Sequence, residues 1–195
     1  NDRLAAVATD GHRLGLNYGA ASNDFKGVIV PAKTVGVIPA GEISVRLSDT
    51  KIQFAAPGLV ITSKLIDGTF PNYQRVIPTG NDKKLVLDRQ TFAQAVDRVS
   101  TISTERGRAV KLTVEADTLR LAVNNPDAGQ ADEELAADYS SNPLEIGFNA
   151  KYLIDVLGEF PPGDITVSLA DGGSPTLFSS DKTPDYLAVI MPMRV

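Results

Sequence analysis

GEISVRLSD, Gly41 to Asp49, and GDITVSLAD, Gly163 to Asp171, read as the same strand written twice. They share Gly, Ile, Val, Leu and Asp at matching places, and in both the apolar residues alternate (Ile43, Val45, Leu47; Ile165, Val167, Leu169), the period of a half-buried β-strand. Working outward, each copy is preceded by a short helical stretch opened by Ala-Lys, VPAK ending at Lys33 and FNAK ending at Lys151. Farther upstream, the run Leu4, Ala6, Ala8 before Thr9-Asp10 has the apolar phase of Leu119, Leu121, Val123 before Asn124-Asn125. The offsets between the pairs are 115, 118 and 122 residues, growing as small loop insertions would make them grow. An internal duplication with a period of about 120 residues follows. Residues 80–195 then hold one complete copy and residues 1–79 the later part of a previous one, so the chain is expected to start inside a domain. The linker falls at Phe70 to Asp82, which carries Pro71, Pro78 and Gly80 and neither periodicity.

Three stretches leave the strand period. Over residues 88–103, Asp88 caps a helix whose Phe92, Ala95, Val96, Val99 and Ile102 share one face. Over residues 149–159, Asn149 caps a second, with Leu153, Val156, Leu157 and Phe160 at helical spacing, stopped by Pro161-Pro162-Gly163. Residues 31–38 form a shorter candidate between Pro31 and Pro39. Turn signals separate the strands at Ser48-Asp49, Ala56-Pro57-Gly58, Ala116-Asp117, Asn125-Pro126 and Asp171-Gly172-Gly173. The fold class is α+β: repeated domains of antiparallel sheet, each with two helices.

The chemistry the chain can carry is narrow. It has no cysteine and a single histidine, His12, which excludes disulfides, thiol catalysis and Cys-based zinc and leaves imidazole sites with one candidate. It has no run of about 18 apolar residues and no basic-then-apolar opening, so a soluble cytoplasmic protein is expected, with no membrane partner. The net charge of −5 is unevenly spread: residues 1–79 hold 8 basic and 6 acidic side chains, residues 80–195 hold 11 and 18. A conventional nucleic-acid binder is basic, because its cations must release counterions from the phosphates; here the basic groups have to be gathered on one face for DNA to be tolerated.

Thr9-Asp10-Gly11-His12-Arg13 puts a hydroxyl, a carboxylate, an imidazole and a guanidinium within five residues. Asp-Gly between alternating runs is a hairpin signal, and triad members usually converge from separate elements, so a structural turn, a binding surface and a catalytic cluster stand as the alternatives. Asp132, Glu133, Glu134 and Asp138 lie in an alternating strand without the Asx and Gly placement of a calcium loop, and read as a charged strand face; no metal and no cofactor are expected. The tail Met191-Pro192-Met193-Arg194-Val195 follows a strand, and its two thioethers suit either the completion of a core or an apolar peptide-binding surface.

ATDGHRL (Ala8 to Leu14), DGTFPNYQRVIP (Asp67 to Pro78), GFNAKYLIDVL (Gly147 to Leu157) and MPMRV at the end, in this order and spacing, resemble the second and third domains of the bacterial DNA polymerase III beta subunit (sliding clamp) family across essentially all 195 residues. The resemblance implies a DNA-clamp fold, with residues 1–79 as a truncated central domain and 80–195 as the third domain. It implies a non-catalytic processivity factor, a homodimeric ring in the full-length protein around duplex DNA held without regard to sequence, at the nucleoid and replisome. Such rings join the first domain of one subunit to the third of the other, so this stretch alone is not expected to close one. The DNA polymerase III catalytic subunit, the clamp loader, other polymerases and repair proteins are the implied partners, through short glutamine-led apolar peptides. The positions matching the family's peptide groove are Thr9, Gly11, His12, Arg13, Leu14, Pro71, Arg75, Val76, Asn149, Tyr152, Val189, Met191, Pro192, Met193, Arg194 and Val195, with Gly173 and Pro175 in its wall and Gly107 opening one edge. Lys33, Arg89, Arg98 and Lys151 are the cations expected to face DNA, diluted by Asp88, Asp97, Asp155 and Glu159 on the same helices. The alternative reading is a β-rich interaction domain unrelated to DNA.

Overall fold

Alternating side chains and tight turns become strands throughout the computed structural model, which describes residues 3–21, 26–103 and 109–195. In chain order the elements are β1 (Arg3–Thr9), β2 (Arg13–Ala21), α1 (Ala32–Val35), β3 (Ser44–Leu47), β4 (Lys51–Ala56), β5 (Leu59–Lys64), a 3-10 turn (Tyr73–Arg75), β6 (Lys83–Asp88), α2 (Arg89–Ser100), β7 (Ala109–Glu115), β8 (Thr118–Asn125), β9 (Gly129–Ala136), β10 (Leu144–Asn149), α3 (Ala150–Gly158), β11 (Asp164–Leu169), β12 (Thr176–Ser179) and β13 (Tyr186–Ile190). They divide into two compact units, one made of Asn1–Ala21 with Tyr73–Val195, the other of Ser22–Asn72.

The smaller unit is the antiparallel sheet β3-β4-β5, with Ile52 and Phe54 buried on β4. Thr34 of α1 donates from its hydroxyl to Ser63 of β5 at 2.8 Å. The helix expected over 31–38 is confined to four residues: it buries nothing, so no packing extends it beyond the local signal of Pro31.

The larger unit has two antiparallel sheets, β1-β2-β13-β12-β11-β6 and β10-β7-β8-β9, with α2 and α3 contributing to one core between them. From α2 come Phe92, Ala95, Val96 and Val99, and from α3 Leu153, Val156 and Leu157, on the faces read from the sequence, with Ala150 added at the start of α3. Leu119, Leu121 and Val123 of β8 and Ile165, Val167 and Leu169 of β11 point inward as their alternation requires. Each large apolar side chain so buried contributes about 1.5–3 kcal/mol. Asp88 caps α2, its Oδ1 accepting from the Thr91 amide at 2.7 Å and the Thr91 hydroxyl at 2.8 Å. The amide bond foremost holds its carboxyl below the ordinary carboxylate range. Asp88→Ala is expected to cost about 1 kcal/mol in urea denaturation at neutral pH. Because the folded-state pKa is the depressed one, the cap's contribution is present above the unfolded carboxylate pKa and is lost as pH falls through the folded value, where variant and parent should converge.

The β1-β2 hairpin joins the sheet of the later half of the chain. β2 pairs with β13 through Leu14↔Val189, Leu16↔Leu187 and Arg13↔Ile190. The core between the sheets takes Ala188 and Ile190 from β13 but nothing from β1 or β2. This corrects the reading of β1: Leu4, Ala6 and Ala8 share the face the core occupies farther along the sheet, but lie past its end, and Leu4 is 43% exposed. Ala5 and Val7, on the opposite face, are the β1 residues that pack, against a second small cluster around Leu14, Leu16 and Val189.

Candidate functional site

The second cluster holds two of the expected site residues, Leu14 and Val189. On the outer face of the six-stranded sheet the register places Thr9, Leu14, Val189 and Leu177 in one row across β1, β2, β13 and β12. Tyr73, which opens the 3-10 turn, and Ile77 just beyond it pack against Leu14, Leu16 and Val189. Val76 beside them is 39% exposed, and Arg75 is exposed too.

The hairpin turn is built by its own side chains. Asp10 Oδ1 accepts from the amides of His12 and Arg13 at 3.0 Å each, and the Thr9 hydroxyl donates to the Arg13 carbonyl at 2.8 Å. Gly11 sits at φ +86°, which L side chains rarely adopt. Thr9 and Asp10 are thereby committed to the turn, and His12 stacks on Tyr152 with ring centroids 5.9 Å apart and 21° between planes. Of the three readings of this pentad, the turn is the one its hydrogen bonds form.

Beyond β13 the tail is fastened at two points. The Met191 amide donates to the His12 carbonyl and the Met193 amide to the Gly147 carbonyl, both at 2.8 Å. Gly147 lies in the middle of β10 with no side chain because the tail occupies that space: a Cβ there would overlap Val195 Cγ1 and stand 2.6 Å from the Met193 carbonyl oxygen. Met191 and Val195 are left 38% and 61% exposed, Arg194 is exposed, and Pro192 and Met193 are half-buried. The tail therefore links the hairpin turn to β10 while keeping apolar surface toward solvent.

Asn149 ends β10 and caps α3, accepting from the amides of Lys151 (2.9 Å) and Tyr152 (3.4 Å). That cap fixes the first turn of α3, from which Tyr152 projects toward the hairpin. The Arg13 guanidinium lies 4.7 Å from the centroid of the Tyr152 ring and is held by two carboxylates, Asp10 (Nε to Oδ2, 3.0 Å) and Asp155 (2.6 Å). Asp155 also receives Lys151 at 3.2 Å. Partial burial pushes the Asp155 carboxyl upward, but the hydrogen bonds from Arg13 and Lys151 outweigh it and leave the group below the ordinary carboxylate range. On the inner side of the hairpin a cleft of about 670 Å³ runs between Ala8, Gly15, Ile154 and Tyr186, with Arg13 and Asp155 in its lining.

The wall loop is an Asx turn: Asp171 accepts from the amides of Gly173 and Ser174 at 2.8 Å each. Gly172 is pressed against the Glu145 carbonyl of β10, and the Asn81 side-chain Nδ2 donates to the carbonyls of Ser168 (2.8 Å) and Pro175 (2.9 Å). Pairing of Thr176 with Ile190 then brings Pro175 beside the start of the tail. Gly107 lies outside the described residues. Pro71 belongs to the smaller unit.

The four expected DNA-facing cations have different surroundings. Lys33 is exposed on α1 in the smaller unit. In the larger unit, Arg98 makes a forked pair with Glu133 of β9 (3.0 and 2.5 Å), Lys151 is paired with Asp155, and Arg89 has its Nε buried with no hydrogen-bond partner among the described residues. Of the acidic run, Glu133 pairs with Arg98 and Asp132 with Arg120 on the edge strand β9, and no group of three or more potential metal ligands occurs among the described residues. No helix among them is long and apolar enough to cross a membrane.

Asp155, Gly147 and Asn81 are the positions that sequence reasoning leaves out of the site. Gly147 carries a signal, since a glycine inside an alternating strand marks close backbone approach. Asp155 carries none, because an acid on a helix reads as solvated.

The family model for the C-terminal domain of the DNA polymerase III beta subunit matches residues 74–194, and that for its central domain matches residues 1–72. The beta sliding clamp of Caulobacter vibrioides is 47% identical over 202 residues, covering 99% of this chain and 54% of that protein. That of Pseudomonas putida is 39% identical, covering 98% and 55%. Among solved structures, a sliding clamp (DNA polymerase III subunit beta) from Bartonella birtlesii bound to griselimycin is similar with a TM-score of 0.92 and 50% identity, over 99% of this chain and 55% of that one. The chain spans about half the length of the curated relatives it matches.

Proposed function

Because the chain belongs to the DNA polymerase III beta subunit family, we propose that it is the docking portion of a sliding clamp, a non-catalytic protein that holds a polymerase on DNA. A polymerase must remain on its template for many steps without gripping any base, and tight phosphate contacts would oppose sliding. A ring of two full-length subunits around duplex DNA gives residence by topology instead of affinity. The cations agree with weak contact: Lys33, Arg89, Arg98 and Lys151 are the proposed DNA-facing set, and Arg98 and Lys151 already share their charge with carboxylates. Sequence-independent, salt-sensitive contact follows. The proposed domains are residues 1–79 and 80–195, in the cytoplasm at the replisome.

The observation that carries the docking reading is the meeting of the hairpin turn, the first turn of α3 and the exposed apolar tail at one corner of the larger unit. Thr9, Gly11, His12, Arg13, Leu14, Arg75, Val76, Asn149, Tyr152, Val189 and Met191 to Val195, with Gly173 and Pro175 as wall, form the proposed peptide site. Its partners are the polymerase III catalytic subunit, the clamp loader, and other polymerases and repair proteins carrying glutamine-led apolar segments. Two apolar anchors at about 1.5–3 kcal/mol each, with backbone hydrogen bonds and less the cost of ordering the peptide, give roughly micromolar affinity, weak enough for partners to exchange.

Met193→Ala tests this. Titration with a fluorescein-labelled glutamine-led peptide carrying leucine and phenylalanine should show binding weakened about tenfold, the loss of one partly buried anchor, with the unfolding midpoint unchanged. Equal affinity in the variant would remove the tail from the site. Retention of the full-length protein on circular but not linear DNA separates the clamp from a β-rich interaction domain unrelated to DNA.

A further inference from the structure

We propose that Asp155 is a positioning residue of the docking site, setting Arg13 and Tyr152 in place without touching the bound peptide; this rests on the docking reading above. Two separate elements, the β1-β2 hairpin and α3, meet at one carboxylate. Arg13 comes from the hairpin, and its guanidinium would be free to swing if Asp10 alone held it, because Asp10 is on the same turn and moves with it. Asp155, on α3, supplies the 2.6 Å contact that fixes the far end of the guanidinium to a second element. So held, the guanidinium lies over the Tyr152 ring at 4.7 Å, where the negative face of the ring attracts it, while His12 stacks on the same ring. Tyr152 is thus braced by two hairpin residues, one of which Asp155 anchors. Lys151, the other cation on Asp155, is the more exposed partner (side chain 56% exposed against 28% for Arg13) and its contact is longer at 3.2 Å, so Arg13 is the partner the carboxylate chiefly orients.

The arrangement couples the two parts of the site. The row containing Leu14 and Val189 depends on the hairpin, and the aromatic part depends on α3; the Arg13 to Asp155 bond is a direct polar link from the hairpin to that helix. With the carboxylate removed, both walls remain, but Arg13 and the Tyr152 ring beneath it lose one restraint, and a peptide spanning them must order them on binding.

Asp155→Asn keeps the side-chain shape and removes the charge. Against the same labelled peptide it should bind about fivefold more weakly, as loss of a cation-π brace and its ordering would give. The melting temperature should stay at the parent value, and the Tyr152 ring resonances of the free protein should shift in NMR spectra. Asp155→Glu, which restores the carboxylate, should recover affinity to within about twofold. Parent-like affinity in Asp155→Asn, unshifted Tyr152 resonances, or an Asp155→Glu variant as weak as the asparagine one would each overturn the positioning role. Met193→Ala, run in parallel, keeps the two ideas apart: if it binds as tightly as the parent, the docking reading has failed, and if it alone binds weakly, only the role of Asp155 has.

Discussion

Gly147→Ala should weaken peptide binding by more than tenfold while leaving the core assembled. The added methyl would overlap Val195 Cγ1 and crowd the Met193 carbonyl, a backbone group that cannot rotate out of the way as a long side chain would. The tail must lift off β10, and with it goes the Met193 amide bond to the Gly147 carbonyl. Met193 and Val195 then lose their fixed place at once, so the variant forfeits more than one anchor, and a loss beyond about 1.4 kcal/mol is a loss beyond tenfold. The same change shortens hydrogen-exchange protection of the Met193 amide, while amides of α2 and β8, remote from the tail, keep theirs. A variant that bound normally with an unprotected Met193 amide would separate tail order from docking and refute the account.

The second large effect falls on stability. Phe148 is fully buried in β10, and its ring meets Phe178 of β12 edge to face at 6.4 Å. Those strands belong to different sheets, so this pair is one of the places where the two layers of the larger unit touch directly. Phe148→Ala opens a cavity between sheets that cannot close without moving a whole layer, and a loss of about 3–5 kcal/mol is expected. Against the roughly 5–15 kcal/mol stability of ordinary domains this is a large share, measurable as a lower midpoint in urea with unchanged slope. A shift under about 1 kcal/mol would mean that the layers collapse onto the gap, contrary to the packing described.

How far these features can be read from residues alone depends on the range of the interaction that makes them. The helices α2 and α3 are legible because Asp88 and Asn149 cap them locally and their apolar faces repeat at helical spacing; the twin strands around Val45 and Val167 are legible for the same local reason. The β2 to β13 pairing is not, since Leu14 and Val189 are far apart in sequence and nothing in a period of two names a strand's partner. That pairing also decides which face of β1 is covered, which is why alternation alone points to Leu4 and passes over Ala5. At the site, the hairpin pentad and the Met-Pro-Met tail can be picked out as residue types in unusual places. The Asp155 brace cannot, because its meaning lies in Arg13 arriving from the hairpin.

The join between β2 and β13 also bears on what counts as a part of this molecule. The family boundary falls between residues 72 and 74, yet β2 and β13, on either side of it, are neighbours in one hydrogen-bonded ladder. Heredity and mechanics therefore divide the chain at different places. A pull applied to the hairpin is carried by the backbone bonds of the ladder directly into the strand that ends in the tail, and bending at this seam would have to break those bonds one pair at a time. Severed at the inherited boundary, the later segment would bare β13 as a raw edge bearing Leu187 and Val189, a surface ready to zip onto another copy of itself.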